Sequence, residues 1–139
     1  MPARNIYHDA VVRALTADGW TITDDPLTVS YGGKDLFVDL AAERPTIGAE
    51  REGRRIAVEI QSFLSRSDVR DLEEAIGQYE VYRVLLATND PDRVLYLGVP
   101  RHFHEGLLSE PFGQLLLTRL RLRVLVFDEE TERVHQWID

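Results

Sequence analysis

Apolar residues recur at helical spacing near the start of the chain. Ile6, Ala10, Val11, Ala14 and Leu15 mark one face, Asn5 stands at a capping position and Gly19 at a C-terminal stop. The pattern predicts a helix over about 6–17. The period then changes to two: Trp20 and Ile22, then Leu27, Val29 and Tyr31, alternate as strand residues, broken by Asp24-Asp25-Pro26 and by Gly32-Gly33. The segment DLFVDLAAE, 35–43, reads as another strand. Residues 46–52 and 54–63 read as a hairpin about Glu52-Gly53, and the apolar second arm, RRIAVEIQSF, has the character of a central strand.

A second long helix is predicted from Ser67 or Asp68. Val69, Leu72, Ile76, Tyr79 and Leu86 share one face, while Asp68, Asp71, Glu73 and Glu74 load the first turns in the favourable sense of the helix dipole. The helix should stop before Thr88-Asn89-Asp90-Pro91. VLYLGV, 94–99, reads as a buried strand ended by Pro100. Short helices around 102–108 and 111–118 lead to a strand at 121–127, and the acidic turn Asp128-Glu129-Glu130 returns the chain into a last strand through Val134, Gln136 and Ile138. No repeat, low-complexity tract or linker interrupts this order, which predicts one α/β sheet domain over 1–139.

The length suffices for a real core without cross-links, and the absence of cysteine excludes disulfides and thiolate metal sites, so a reducing cytoplasm is the expected location. The N-terminal MPARNIYHDA lacks a basic-then-apolar leader and no apolar run reaches bilayer length, so no membrane association is expected. A net charge of −8 argues against general coating of nucleic acid and confines any DNA contact to a local surface. Fifteen of the sixteen basic residues are arginine, which suits bidentate phosphate contacts. They cluster at Arg51, Arg54 and Arg55, at Arg66 and Arg70, and at Arg119, Arg121 and Arg123, where solvated faces are the plainer reading.

Two carboxylates stand where charge is out of character. In the arm 54–63 the period of two places Ile56, Val58 and Ile60 on one face and Ala57, Glu59 and Gln61 on the other, so Glu59 interrupts a strand that belongs inside. Asp39 does the same within LFVDLAAE. A buried carboxylate needs an arginine, a proton or a metal, and two on adjacent strands would select a hard cation, magnesium or manganese. A structural network with arginines is the alternative, and Asp35, Glu43 or Glu50 could replace Asp39 as the partner of Glu59. Gln78 and Tyr82, an i, i+4 pair, share one flank of the second helix and could equally cap a core edge. His8, on the first helix, could reach the cleft or sit at the core edge. His102 and His104 have no further histidine or cysteine at ligand spacing, which argues against zinc.

An aspartate, a gap of nineteen residues and then Glu-x-Gln at the end of an apolar strand resembles the PD-(D/E)xK nuclease signature, with Gln61 in the place of lysine. Gln78-x-x-x-Tyr82 resembles the helix motif that follows the active strand in RecB-like and Holliday-junction-resolvase-like members. Over nearly the whole chain, the stretches IYHDAVVRALTADGWTITDDPLT, GGKDLFVDLAAE, GRRIAVEIQSF, DLEEAIGQYEVYRVLL, DRVLYLGVP, SEPFGQLLL and VFDEETERVHQWI resemble the XisH family, controlling factors for excision of the fdxN DNA element.

That resemblance implies a restriction-endonuclease-like α/β fold, a mixed sheet flanked by helices. It implies a magnesium or manganese ion on Asp39, Glu59 and the Ile60 carbonyl, with Gln61, Gln78 and Tyr82 completing the catalytic set. The partners it implies are DNA, a small XisI-type protein and a site-specific recombinase, and a homodimer is also open. Members of the family it resembles generally read Glu-Ile-Lys-Ser-Phe where this chain reads Glu59-Ile60-Gln61-Ser62-Phe63, so a catalytically silent DNA- or protein-binding accessory is the alternative function. Lys34 is the candidate for a migrated ammonium.

Overall fold

The structure is a computed structural model that describes residues 5–44 and 53–139. The first helix, α1 (His8–Ala17), starts two residues later than its apolar pattern suggests, because Asn5 organises the entry. Its Oδ1 accepts the Tyr7 N–H at 2.8 Å and its carbonyl accepts the His8 N–H at 2.9 Å. Four short strands follow: β1 (Thr21–Asp24), β2 (Leu27–Tyr31), β3 (Lys34–Val38) and β4 (Leu40–Arg44). The predicted strand over 35–43 is therefore two strands in different sheets, with Asp39 at the bend between them. The first arm of the predicted hairpin, 46–52, lies outside the described residues.

The second arm is β5 (Arg54–Ile60), followed by the long helix α2 (Asp68–Asn89), β6 (Arg93–Pro100), α3 (Arg101–Glu105), a single 3-10 turn at Leu107–Ser109, α4 (Pro111–Arg119), β7 (Val124–Asp128) and β8 (Arg133–Ile138). Ser67 caps α2 by accepting the Arg70 N–H on its hydroxyl, and the helix begins at Asp68, one of the two predicted starts. The strand expected at 121–127 begins only at Val124. Arg121 instead adopts the left-handed conformation, φ 50°, that ends α4.

Six strands form a mixed sheet in the order β1-β4-β5-β6-β7-β8, in which β5, β6 and β7 are parallel and the remaining pairs antiparallel. β2 and β3 make a separate hairpin. One sheet face buries Ile56, Val58, Ile60 and Tyr96 against Val11 and Leu15 of α1. The other face packs Ala57, Leu97 and Val126 against Leu72, Ala75 and Tyr79 of α2 and against Val29 and Val38 of the hairpin. Each fully buried leucine or valine in these layers stabilises the fold by about 1.5–3 kcal/mol. α4 sits unusually close to the 3-10 turn, because a Cβ at Gly113 would lie 2.3 Å from the Leu107 carbonyl oxygen. Among the described residues no helix is long and apolar enough to cross a membrane.

Candidate functional site

The alternation along β5 sends Glu59 to the α2 side of the sheet, beside Ala57 of that core and away from Ile56, Val58 and Ile60. β5 ends at Ile60 and the chain turns off the sheet at Phe63, φ 54°, whose ring stacks on Phe103 with centroids 3.5 Å apart. This turn leaves Gln61 at the lip of the sheet, where its N–H still donates to the Gly98 carbonyl of β6 at 2.9 Å.

Asp39 reaches Glu59 from the other side. Its position at the junction of β3 and β4, which the strand pattern missed, frees its side chain to complete the ladder. Oδ2 accepts the Ile60 N–H at 2.8 Å, while the Asp39 carboxylate and N–H both hydrogen-bond Glu59. The Ile60 carbonyl accepts the Asn5 side-chain amide at 3.3 Å, which brings the entry of α1 to the same place. Asn5 is the site neighbour that sequence reading missed. The sequence marks Asn5 as the helix cap, whereas the N-cap is Tyr7, without a side-chain cap, and Asn5 instead accepts the Tyr7 N–H one turn ahead of the helix; its contact spanning 55 residues leaves no local signal.

α2 supplies the remaining wall. Gln78 and Tyr82 lie one turn apart on the same flank, and both face the end of β5. Gln61 Nε2 donates to Gln78 Oε1 at 2.8 Å, and the Tyr82 hydroxyl donates to Glu59. The structure thus gathers Asp39, Glu59, Gln61, Gln78 and Tyr82 around one point.

Glu59 is only 5% exposed, and neither it nor Asp39 forms an ion pair with an arginine or lysine among the described residues. Burial, then the hydrogen bond and charge of Asp39, push the Glu59 carboxyl from 4.5 up to about 10, against the smaller opposing pull of the Tyr82 hydroxyl and the Asp39 N–H. Tyr82 is in turn pushed up to about 12 by burial and by the Glu59 charge. The site therefore favours the protonated form of the Glu59 carboxyl beside Asp39. Two carboxylates with a carbonyl close by are a hard-oxygen donor set. No group of three or more His, Cys, Asp or Glu side chains among the described residues is placed to hold a metal ion, so at this site the protein side chains offer a cation two carboxylates.

The other candidates lie elsewhere. Asp35 accepts the Ser30 hydroxyl at 2.6 Å and Glu43 pairs with Arg55 at 3.3 Å, while Glu50 lies outside the described residues. Lys34 opens β3 five residues before Asp39, about 17 Å away along an extended strand, too far for its side chain to reach the carboxylates. His8 is buried with Nε2 2.8 Å from Asp25 Oδ1. His102 Nδ1 lies 3.0 Å from Glu129 while His104 lines a different cavity, so the two share no site. Arg55 is bound by Asp90 at 2.8 Å and Arg54 lies over Trp20 and donates to Tyr96, so these two arginines are structural, and Arg51 lies outside the described residues.

Comparison with known proteins agrees with this architecture. A crystal structure of an XisH family protein from Nostoc punctiforme superposes with a TM-score of 0.88 at 39% identity, over 97% of this chain and 100% of that one. A crystal structure of an fdxN element excision controlling factor protein from Anabaena variabilis superposes with a TM-score of 0.86 at 41% identity, over 98% of this chain and 100% of that one. Among curated proteins none matches. The family model described as XisH protein matches residues 1–135, and the chain belongs to the XisH family.

Proposed function

We propose that this protein is a DNA-processing factor for excision of a DNA element, built on a restriction-endonuclease-like PD-(D/E)xK core that binds magnesium or manganese through Asp39 and Glu59. The observation that carries this reading is the placement of the half-buried Asp39 carboxylate against the buried Glu59, with no arginine or lysine among the described residues paired to either. Burying such a pair costs several kcal/mol unless a proton or a cation lies between them. A divalent ion suits the oxygen-only donors, with the Ile60 carbonyl as a third ligand and water filling the rest. Bound there, it would polarise a phosphodiester and supply a nucleophile at neutral pH. The chain's own residues would hold it: the Ile60 N–H fixes the Asp39 carboxylate, the Tyr82 hydroxyl orients Glu59, and Gln78 holds Gln61 at the lip. The excision role follows from the family, whose Anabaena variabilis member is an fdxN element excision controlling factor.

A second reading rests on Gln61. Its amide is satisfied by Gln78, and this neutral pair stands where the nuclease motif carries a positive charge. On that reading the domain is a catalytically silent accessory of a site-specific recombinase, binding DNA or an XisI-type partner.

Titration calorimetry with manganese tests the metal site common to both readings. Wild type is expected to bind one ion, and Asp39→Ala to lose at least about 100-fold in affinity, because the carboxylate and the fixed Ile60 geometry go together. Equal heats from the two proteins, or none from either, would mean that Asp39 and Glu59 hold no metal ion.

A further inference from the structure

A cavity of about 660 Å³ opens between α2, α4 and the edge strand β8, and shares no residue with the carboxylate site. Its size falls within the range of small-molecule sites. Three arginines converge on it. Arg83 projects from α2, held by Glu80 and by the Leu120 carbonyl, which it reaches at 3.2 Å. Arg121 and Arg123 come from the segment between α4 and β7. Elsewhere Arg13, Arg44, Arg55, Arg93 and Arg101 each face a carboxylate. Arg121 and Arg123 are exposed and face none among the described residues, in a chain whose net charge is −8.

Two features fix the backbone that carries Arg121 and Arg123, and a third marks the cavity wall. The Arg123 N–H donates to the Tyr79 hydroxyl at 3.2 Å, so the core of α2 fixes the segment. Arg121 occupies a left-handed position, φ 50°, where glycine is the usual occupant and an L side chain is strained. The Nδ1 atom of His104, which also lines the cavity, is buried without a hydrogen-bond partner among the described residues. The lining includes one acidic residue, Asp139, whose carboxylate is engaged by the Tyr96 hydroxyl. Leu117 and Leu122 supply an apolar wall.

We propose that this cleft binds a phosphorylated nucleotide unit, with its phosphate on Arg121 and Arg123, Arg83 behind them, and its sugar or base against Leu117 and Leu122. Guanidinium forks match phosphate oxygens, and the volume exceeds what a bare inorganic anion fills. The unit could be a free nucleotide or the phosphorylated end of a strand. The proposal stands independently of the metal reading, since the two sites share no residue.

Fluorescence polarisation with a labelled ten-nucleotide thymidine oligonucleotide, carrying either a 5′-phosphate or a 5′-hydroxyl, tests it without any activity assay. Metal-free wild type is expected to prefer the phosphorylated end by about tenfold, or, if the natural source is a free nucleotide, to be displaced from it by ADP well below about 1 mM. Arg123→Gln and Arg121→Gly should each lose about tenfold, and Arg121→Gly should not lower the melting temperature, because glycine relieves the left-handed strain. Absence of binding to both oligonucleotides and ADP up to about 1 mM would overturn the proposal. So would affinity unchanged in both variants, or citrate competing as well as ADP.

Discussion

Gln61→Lys is expected to raise manganese-dependent nicking of branched or single-stranded DNA by roughly two orders of magnitude, and Asp39→Ala in the same background to abolish it. Gln61 and Glu59 share the α2 side of the sheet, and Gln61 Nε2 sits 2.8 Å from Gln78 Oε1. A lysine ammonium in that place keeps Gln78 as its acceptor and adds the positive charge that the amide pair lacks. Cleavage concentrates negative charge on the phosphate oxygens, and a fixed cation beside them is worth a few kcal/mol, hence the roughly hundredfold expectation. A nicking assay over linear, nicked and branched substrates reads it directly. If the variant folds, binds manganese and cuts none of them, the silent-accessory function stands in place of the enzyme.

The second large effect is on stability. The Glu59 carboxyl is raised from 4.5 to about 10 by burial and by Asp39, so the folded chain holds a proton that the unfolded chain has released. A group raised in the folded state contributes its full stability below its unfolded value and loses it as pH rises toward the folded one. Metal-free protein therefore loses stability across that window by about 1.4 kcal/mol per pH unit, about 3 kcal/mol between pH 5 and 7. Glu59→Gln removes this slope. Its amide can still donate to Asp39 and accept from Tyr82, so in EDTA the variant should match wild type near pH 5 and melt about 10 °C higher near pH 7. Comparing the two proteins cancels the other titrations. A variant less stable than wild type at every pH would mean that Glu59 is half of a structural ion pair.

Much of this site was legible from patterning. Glu59 stood out because its strand is otherwise apolar, and the i, i+4 spacing of Gln78 and Tyr82 placed both on one flank of α2, where the structure has them. Asp39 was legible as an anomaly but not in its geometry. DLFVDLAAE carries an unbroken strand pattern, and nothing local records that its first half pairs with β2 and its second half with β5. The transfer between sheets is decided by partners distant in sequence, and it is what lets the Asp39 side chain take the Ile60 N–H. Arg121 and Arg123 misled for a similar reason. They alternate with Leu122 as strand residues do, while the left-handed turn at Arg121 lacks the glycine that would announce it. Lys34 failed as a migrated cation because an extended β3 carries it away from Asp39.

A divalent cation bound by Asp39 and Glu59 is expected to displace the Glu59 proton. Manganese titrated into wild type at pH 7.5, in PIPES and again in Tris, measures this directly through the difference in buffer ionisation heat. With burial and Asp39 raising the Glu59 carboxyl to about 10, binding is expected to release about one proton per ion, with no buffer dependence for any binding that survives in Glu59→Gln. Manganese heats from wild type that are the same in both buffers would contradict it.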